Sequence, residues 1–513
     1  MSKRLNIILF QVDQMAASKL PCYGNEVAIT PHLDRLAAEA SVFSQAYCNF
    51  PLCAPSRFSM MTGRLASSIG AYDNGASLPS ELPTIPYFLR HHGYQTCLSG
   101  KMHFVGADQL HGYETRLTTD IYPADFGWTG DWTEVTQKHN NDIRSFNLAG
   151  PCIRNPQMEY DEEVTHQTVK KLYDHARKDE EPFFLTVSYT HPHDPYQCHQ
   201  DYWDLYEGTE IDMPAVAAIP YADQDPYSQR LLQQYGLDKA NLSESQLHRA
   251  RRAYYGSISY VDNQIGKVIQ TLQELDLYQN TIIVFTSDHG EMLGERGLWY
   301  KKTFFEDGLR VPLLIRHPDF NPAQVSSPVS LIDLLPTLIE FSKTEDVIGD
   351  TELFESQFKL LEGETLSHLM TGTEDDQRTV YAENLAEGAM APLLMTRKGQ
   401  FKYIRSGVDP EQFFNLEQDK LELNNLAQAS AGNEDFENLK HLTEARWDIN
   451  QLSDVIQHSQ KQRLFIKSIH DNSNRPDWDY KPANQSEAQC LRPPTTYNEW
   501  AYNQVLGLKE SPD

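Results

Sequence analysis

Short apolar runs rich in β-branched residues alternate along the chain with stretches in which apolar residues return every three or four positions. The runs LNIILFQV, YQTCLSG, PFFLTVSY, TIIVFTS and VPLLI read as strands buried on both faces. Between them lie helical patterns. TPHLDRLAAEA opens with Thr30 as a cap and Pro31 at the first helical position, and TIPYFLRHHGY repeats that arrangement and stops at Gly93. EYDEEVTHQTVKKLYDHARK, the stretch from about 243 to 275 and LIDLLPTLIEF supply further helices. The alternation predicts an α/β fold: a large, mostly parallel or mixed sheet sandwiched by helices.

Near residue 375 the pattern changes. RTVYAEN, PLLMTRKG and QFKYIRS are strands set close together, with Lys398-Gly399 as a turn, and predict a small antiparallel sheet. One helix is expected from about 435 to 469. The end of the chain, with NRPDWDYKP and RPPTTYNEW, reads as an extended arm. The expected organisation is therefore a catalytic domain over 1–375, a smaller antiparallel-sheet-plus-helix domain over 376–475, and an arm over 476–513 that contacts a neighbouring subunit.

Three of the apolar runs end in ionisable residues. LNIILFQV is followed by Asp13-Gln14, PFFLTVSY by THPHDPY with His191, His193 and Asp194, and TIIVFTS by Asp288-His289. Ligands of open α/β sheets bind beyond the carboxyl ends of strands. Asp13, Asp288 and His289 can thus converge, and oxygen-rich donors with an imidazole suit a hard divalent ion. Read singly, each is a turn or cap residue. Lys101 and His103 of SGKMHF and Lys301 past the DHG loop add cationic groups, whereas the adjacent Lys302 reads as a solvated surface charge.

One stretch, PLCAPSRFSMMTGR, places Cys53 two residues before Pro55 and Arg57 two after it. A helix opening at Pro55 would set Cys53 at its mouth, where free N–H groups favour an anion or an activated nucleophile. The plain alternative is a buried cysteine beside an arginine.

Composition narrows the setting. The net charge of −28 over 513 residues argues against nucleic acid and anionic membranes as partners. No window has the apolar length of a membrane span, no secretory leader is visible, and the seven cysteines follow no disulfide spacing, so a cytoplasmic location is expected.

With those residues in view, the chain resembles the type I sulfatases of the alkaline phosphatase superfamily. CAPSR matches their C-x-P-S-R signature, and TGR, SGKMHF and SDHGEMLGERGLWYK follow in the family's order. Within the family the choline sulfatases are the most similar, through SGKMHFVGADQLHGYETRLTTDIYPADFGWT, TVSYTHPHDPY, RRAYYGSISYVD and DPEQFFNLEQDKLELNNLA. The resemblance implies an alkaline phosphatase-like fold and formylglycine derived from Cys53 by a formylglycine-generating or other maturation enzyme. It also implies Ca²⁺, with Mg²⁺ or Mn²⁺ as alternatives, held by Asp13, residue 53, Asp288 and His289. Gln14 stands where many members carry a second aspartate.

By the same likeness, the hydrated aldehyde would attack sulfur, with Arg57 and Lys101 stabilising charge. His193 and Lys301 would serve the departing alkoxide, and His103 would accept a proton as sulfate leaves. His193 is preferred to His191 by its context. Trp128, His139, Asn140, Asn74 and Glu387 correspond to choline-binding positions, and Glu499 is the acid considered for the arm. The expected reaction is choline-O-sulfate to choline and sulfate, in a homodimer or homotetramer. Other alkyl or aryl sulfates, a phosphonate monoester or phosphodiester hydrolase, and an unmodified, inactive binding protein are the alternatives.

Overall fold

The computed structural model describes residues 4–121, 125–134, 141, 143–178, 181–240 and 242–473. Its largest element is an eight-stranded sheet. In chain order the strands are β1 (Asn6–Val12), β2 (Ser41–Phe43), β3 (Gln95–Gly100), β4 (Thr115–Arg116), β5 (Phe183–Ser188), β6 (Thr281–Ser287), β7 (Leu313–Arg316) and β8 (Ala323–Val325). Their order in space is β8-β2-β7-β6-β1-β5-β3-β4. The central strands β6, β1, β5 and β3 are mutually parallel, while β7 runs antiparallel to β6 and to β2. The sheet is therefore mixed. Every residue of β1, β5 and β6 is buried, as expected of strands covered on both faces.

The helices used below are α1 (Pro31–Ala38), α2 (Cys53–Thr62), α3 (Pro156–Lys178), α4 (Glu244–Glu274), α5 (Leu334–Phe341), α6 (Glu434–Arg446) and α7 (Ile449–Asp471). Ser243 and Gln246 form a reciprocal capping box that starts α4 where the sequence pattern places it. A four-stranded antiparallel sheet follows: β9 (Thr379–Asn384), β10 (Leu393–Lys398), β11 (Phe401–Ser406) and β12 (Gln412–Asn415).

Three expectations need correction. Helix α2 begins at Cys53, not Pro55: Leu52 is the extended cap residue, and Ser56 N–H donates to Leu52 O at 3.0 Å. The proline falls at the third helical position, where its missing N–H is one of the unpaired four in any case. The single helix over 435–469 is two. Trp447 is extended with its indole N–H on Glu383 Oε1 at 2.6 Å, and Asp448 caps α7 through the N–H groups of Asn450 and Gln451, both at 3.0 Å. LIDLLPTLIEF starts with a 3₁₀ turn, Leu331–Asp333, before α5.

Register brings the chemistry to one edge. Val12 pairs with Ser287, Gln11 with Ser188, and Ser188 with Gly100, so four strands end side by side. Gly100 has φ +117°, and a Cβ on it would stand 1.9 Å from Ser188 O. That oxygen accepts from Lys101 N–H at 3.1 Å. We expect Gly100→Ala to cost about 3 kcal/mol or more in urea denaturation, by overpacking and backbone strain together, with loss of activity because Lys101 is carried away from its place.

Candidate active site

The start of α2 forms the floor of the site. Asn74 Oδ1 accepts the N–H of Ala54 at 3.0 Å and so satisfies one unpaired donor of the first turn. Cys53, 1% exposed, has its Sγ 3.3 Å from His289 Nε2, 3.7 Å from Asp13 Oδ1 and 3.1 Å from Lys301 Nζ. Burial alone would raise its pKa, but Lys101, Lys301 and His289 overcome that and hold the thiol well below its ordinary value. Cys97, equally buried among fewer charges, is pushed up to about 11. Position 53 is thus a polar, cation-rich setting, suited to an oxidised, oxygen-bearing group.

Asp13, Cys53, Asp288 and His289 each direct one donor atom into a cluster whose members lie within 4.8 Å of one another. His289 Nδ1 faces Gly290 O at 2.9 Å, which makes Nδ1 an N–H donor and points Nε2 toward the cluster. Two carboxylates and an imidazole fit a hard divalent ion. Gln14, in the left-handed region at φ 65°, turns its amide elsewhere: Oε1 accepts from Lys301 Nζ at 2.9 Å and Nε2 donates to Glu291 Oε2 at 2.5 Å.

Arg57 is wholly buried and spends its donors on the protein. Nε reaches Asp288 Oδ2 at 2.8 Å, one Nη reaches Asp13 Oδ2 at 3.0 Å, and the other reaches Lys101 O at 2.7 Å and Ser188 Oγ at 2.8 Å. It orders the carboxylates and does not line the adjoining cavity. Lys101 does line it, and its ammonium also pairs with Asp13. Burial raises the Asp13 pKa, and so does the Cys53 thiolate, yet Lys101, His193 and Arg57 prevail and hold the carboxyl far below the usual range.

Lys301 and His193 form the next wall. Lys301 Nζ donates to His193 Nε2 at 2.9 Å, so that nitrogen accepts and the Nδ1 proton goes to Asp194 O at 2.6 Å. Burial and Lys301 depress the imidazole pKa, but Asp194, Asp13 and Cys53 more than offset them, and the net shift is upward. His191 is turned away: its Nδ1 meets Asp161 of α3 at 2.7 Å, and the same carboxylate takes the backbone N–H groups of Thr190 and His191. His103, in the left-handed region, has both ring nitrogens buried without a hydrogen-bond partner among the described residues.

A cavity of about 640 Å³ runs from Cys53 past Lys101, His103 and Lys301 to Trp128 and Glu387. Trp128 meets His103 edge-on, with ring centroids 5.3 Å apart. The segment carrying Trp128 is tied down from two sides. Arg463 of α7 pairs with Asp73, which accepts Gly130 N–H at 3.1 Å, and the Trp132 indole N–H bonds Ala386 O at 2.9 Å, next to Glu387. His139, Asn140 and Glu499 lie outside the described residues, as does the segment from 474 onward. Lys302 is not the surface charge expected of it. It is 2% exposed, lines the same cavity and pairs with Glu387.

The Sulfatase family profile matches residues 5–343. This chain belongs to the sulfatase family. It is 40% identical over 501 residues to the choline-sulfatase of Rhizobium meliloti (strain 1021), with 95% of each chain covered. It is 30% identical over 470 residues to the arylsulfatase of Clostridium perfringens (strain 13 / Type A), covering 85% of this chain and 93% of the relative. Among solved structures, the phosphonate monoester hydrolase of Silicibacter pomeroyi superposes with a TM-score of 0.68 at 23% identity, covering 86% of this chain and 95% of that one. A protein solved with its substrate D-glucosamine-2-N,6-O-disulfate gives 0.67 at 21% identity, covering 88% and 99%. The sulfatase thus has the alkaline phosphatase-like fold expected of it, and it is an enzyme of the sulfuric ester hydrolase class.

Some residues of the sulfatase's site escaped the sequence reading. Asn141 lines the cavity and donates to Asp194 Oδ1 at 2.9 Å. Tyr227 and Asn384 hold the backbone of Lys302. Only their position directly after a recognised motif, for Asn141, gave any local signal. No helix among the described residues is long and apolar enough to cross a membrane.

The charge balance yields a direct test. Arg57→Met leaves two buried carboxylates short of a counter-charge and should cost about 3–5 kcal/mol of stability. Added Ca²⁺ should restore part of that loss in thermal denaturation and should raise the wild-type midpoint too. Asp288→Asn should remove the calcium response, and an unaltered response in that variant would contradict the assigned cluster.

Proposed function

We propose that this sulfatase hydrolyses choline-O-sulfate to choline and sulfate, using formylglycine formed from Cys53 by a maturation enzyme. One observation carries the reading: a single cavity is lined by Cys53, Asn74, Lys101 and Lys301 of the metal-cluster side and by Trp128 and Glu387. The 40% identity to a choline-sulfatase across 95% of both chains supports the substrate. A quaternary ammonium offers no N–H donor, so an aromatic face and a carboxylate are the groups that suit it.

Formylglycine supplies a nucleophilic hydroxyl as its hydrate, and a divalent metal, calcium by expectation, supplies Lewis acidity. The chain's own residues do the rest. Asp13, Asp288 and His289 Nε2 would hold the metal, and Arg57 fixes both carboxylates. Lys101 and Lys301 neutralise the sulfuryl oxygens as charge builds on them. Lys301 Nζ and His193 Nε2 share a proton at the position suited to the leaving alkoxide. His103, with its buried nitrogens uncommitted, is suited to accept the proton released when sulfate departs. A homodimer or homotetramer in the cytoplasm, with the arm crossing to a neighbour, remains part of the proposal.

Hydrolysis of choline sulfate, p-nitrophenyl sulfate and a phosphodiester should be compared by kcat/KM. We expect choline sulfate to lead, Cys53→Ala to lose at least about a thousandfold, and mass spectrometry of the peptide spanning residue 53 to show the aldehyde. A larger kcat/KM for the phosphodiester would favour the phosphonate and phosphodiester hydrolase reading, which the Silicibacter pomeroyi neighbour accommodates in fold. Thiol alone, in protein co-expressed with a maturation enzyme, would leave an inactive binding protein.

A further inference from the structure

Lys302 follows Lys301 directly and lines the same cavity, yet the two ammonium groups have different partners. Lys301 reaches Cys53 and His193, whereas Lys302 pairs with Glu387 Oε1 and stands 5.7 Å from the centre of the Tyr235 ring. Lys302 adopts φ +74°, a left-handed conformation that non-glycine residues hold only when surroundings over-determine it. Those surroundings are present. Its N–H donates to Pro51 O at 2.9 Å, and its carbonyl accepts from Tyr227 OH at 2.5 Å and Asn384 Nδ2 at 2.7 Å. The ammonium is therefore placed against Glu387 by the backbone and is not a mobile surface charge. Both partners are nearly excluded from solvent, at 2% and 5% side-chain exposure.

We propose that Lys302 is a specificity-determining residue: through its ion pair with Glu387 it sets how strongly the enzyme discriminates among sulfate esters by the charge of their alcohol part. The proposal rests on the reading that Glu387 faces that part of the substrate. An incoming ammonium group meets a carboxylate already engaged by a lysine, and it approaches a like charge in a site with little water to screen it. It gains only by sharing or displacing the lysine. An uncharged alcohol of the same shape faces no such competition. Trp128 attracts cations whatever Lys302 does, so a preference for cationic alcohols persists but is held down. The substrate class that follows is alkyl sulfates with compact, branched alcohol parts, cationic ones favoured and neutral ones admitted.

The test compares choline sulfate with its uncharged isostere, 3,3-dimethylbutyl sulfate, in the mature enzyme and in Lys302→Met, Lys302→Arg and Glu387→Gln. The readout is the ratio of kcat/KM values for the two esters, which is internal to each preparation and so unaffected by partial misfolding. Lys302→Met should raise the ratio at least about tenfold, chiefly through a lower KM for choline sulfate. Lys302→Arg keeps the charge and should leave the ratio within about threefold of wild type, and Glu387→Gln should lower it. An unchanged or smaller ratio in Lys302→Met, or an equal rise in Lys302→Arg, overturns the proposal. The p-nitrophenyl sulfate rate separates the two readings. A wild-type enzyme far better on that ester than on choline sulfate refutes the choline assignment, while the ratio in Lys302→Met still decides the role of Lys302.

Discussion

Asp13 and Asp288 stand at the ends of neighbouring strands with no solvent around them, and they are tolerable there because one guanidinium lies between them. Two carboxylates in a water-poor edge repel each other strongly unless a cation shares both. Arg57 does so from the second turn of α2, so the helix must dock with its N-terminus against the strand ends. That docking brings Cys53 to the carboxylates and to His289. The signature arginine is therefore less a hand on the substrate than the brace that makes a dense acidic cluster compatible with a folded sheet.

The same principle recurs outward from the cluster. Asp161 gathers the backbone of the Thr190–His191 turn and the ring of His191, leaving His193 as the imidazole that faces Lys301. Asp120 accepts the N–H groups of Met102 and His103. Asp73 is held by Arg463 from the far end of the chain. Each of these loops is fixed by a carboxylate taking main-chain donors, which positions the side chains it carries. The chain's acidity, a net −28, includes groups that serve in this way as well as those that keep the surface soluble.

Much of this was legible in the amino-acid order because the deciding forces are local or repetitive. Strands such as Phe183–Ser188 and Thr281–Ser287 are mostly apolar and buried throughout, the capping box at Ser243 announces a long helix, and the residues after β1, β3, β5 and β6 are where parallel strands deliver chemistry. What stayed hidden depends on partners far along the chain. Gln412–Asn415 is too short and too polar at its start to read as a strand, and it forms by pairing with Phe401–Ile404. The break at Trp447 follows from a bond to Glu383, and the burial of Lys302 follows from Glu387, 85 residues later. A lysine beside a lysine carries no local mark of which is exposed.

Tyr300 and Lys302 both take positive φ, at 63° and 74°, on either side of Lys301. The backbone is thereby twisted through one short stretch so that Lys301 turns to Cys53 and His193 while Lys302 turns to Glu387. Lys301 and Lys302 are in consequence mechanically linked within three residues. A new side chain at Lys302 leaves that twist in place and reaches only the Glu387 pair, whereas any change that relaxes the twist moves both ammonium groups at once.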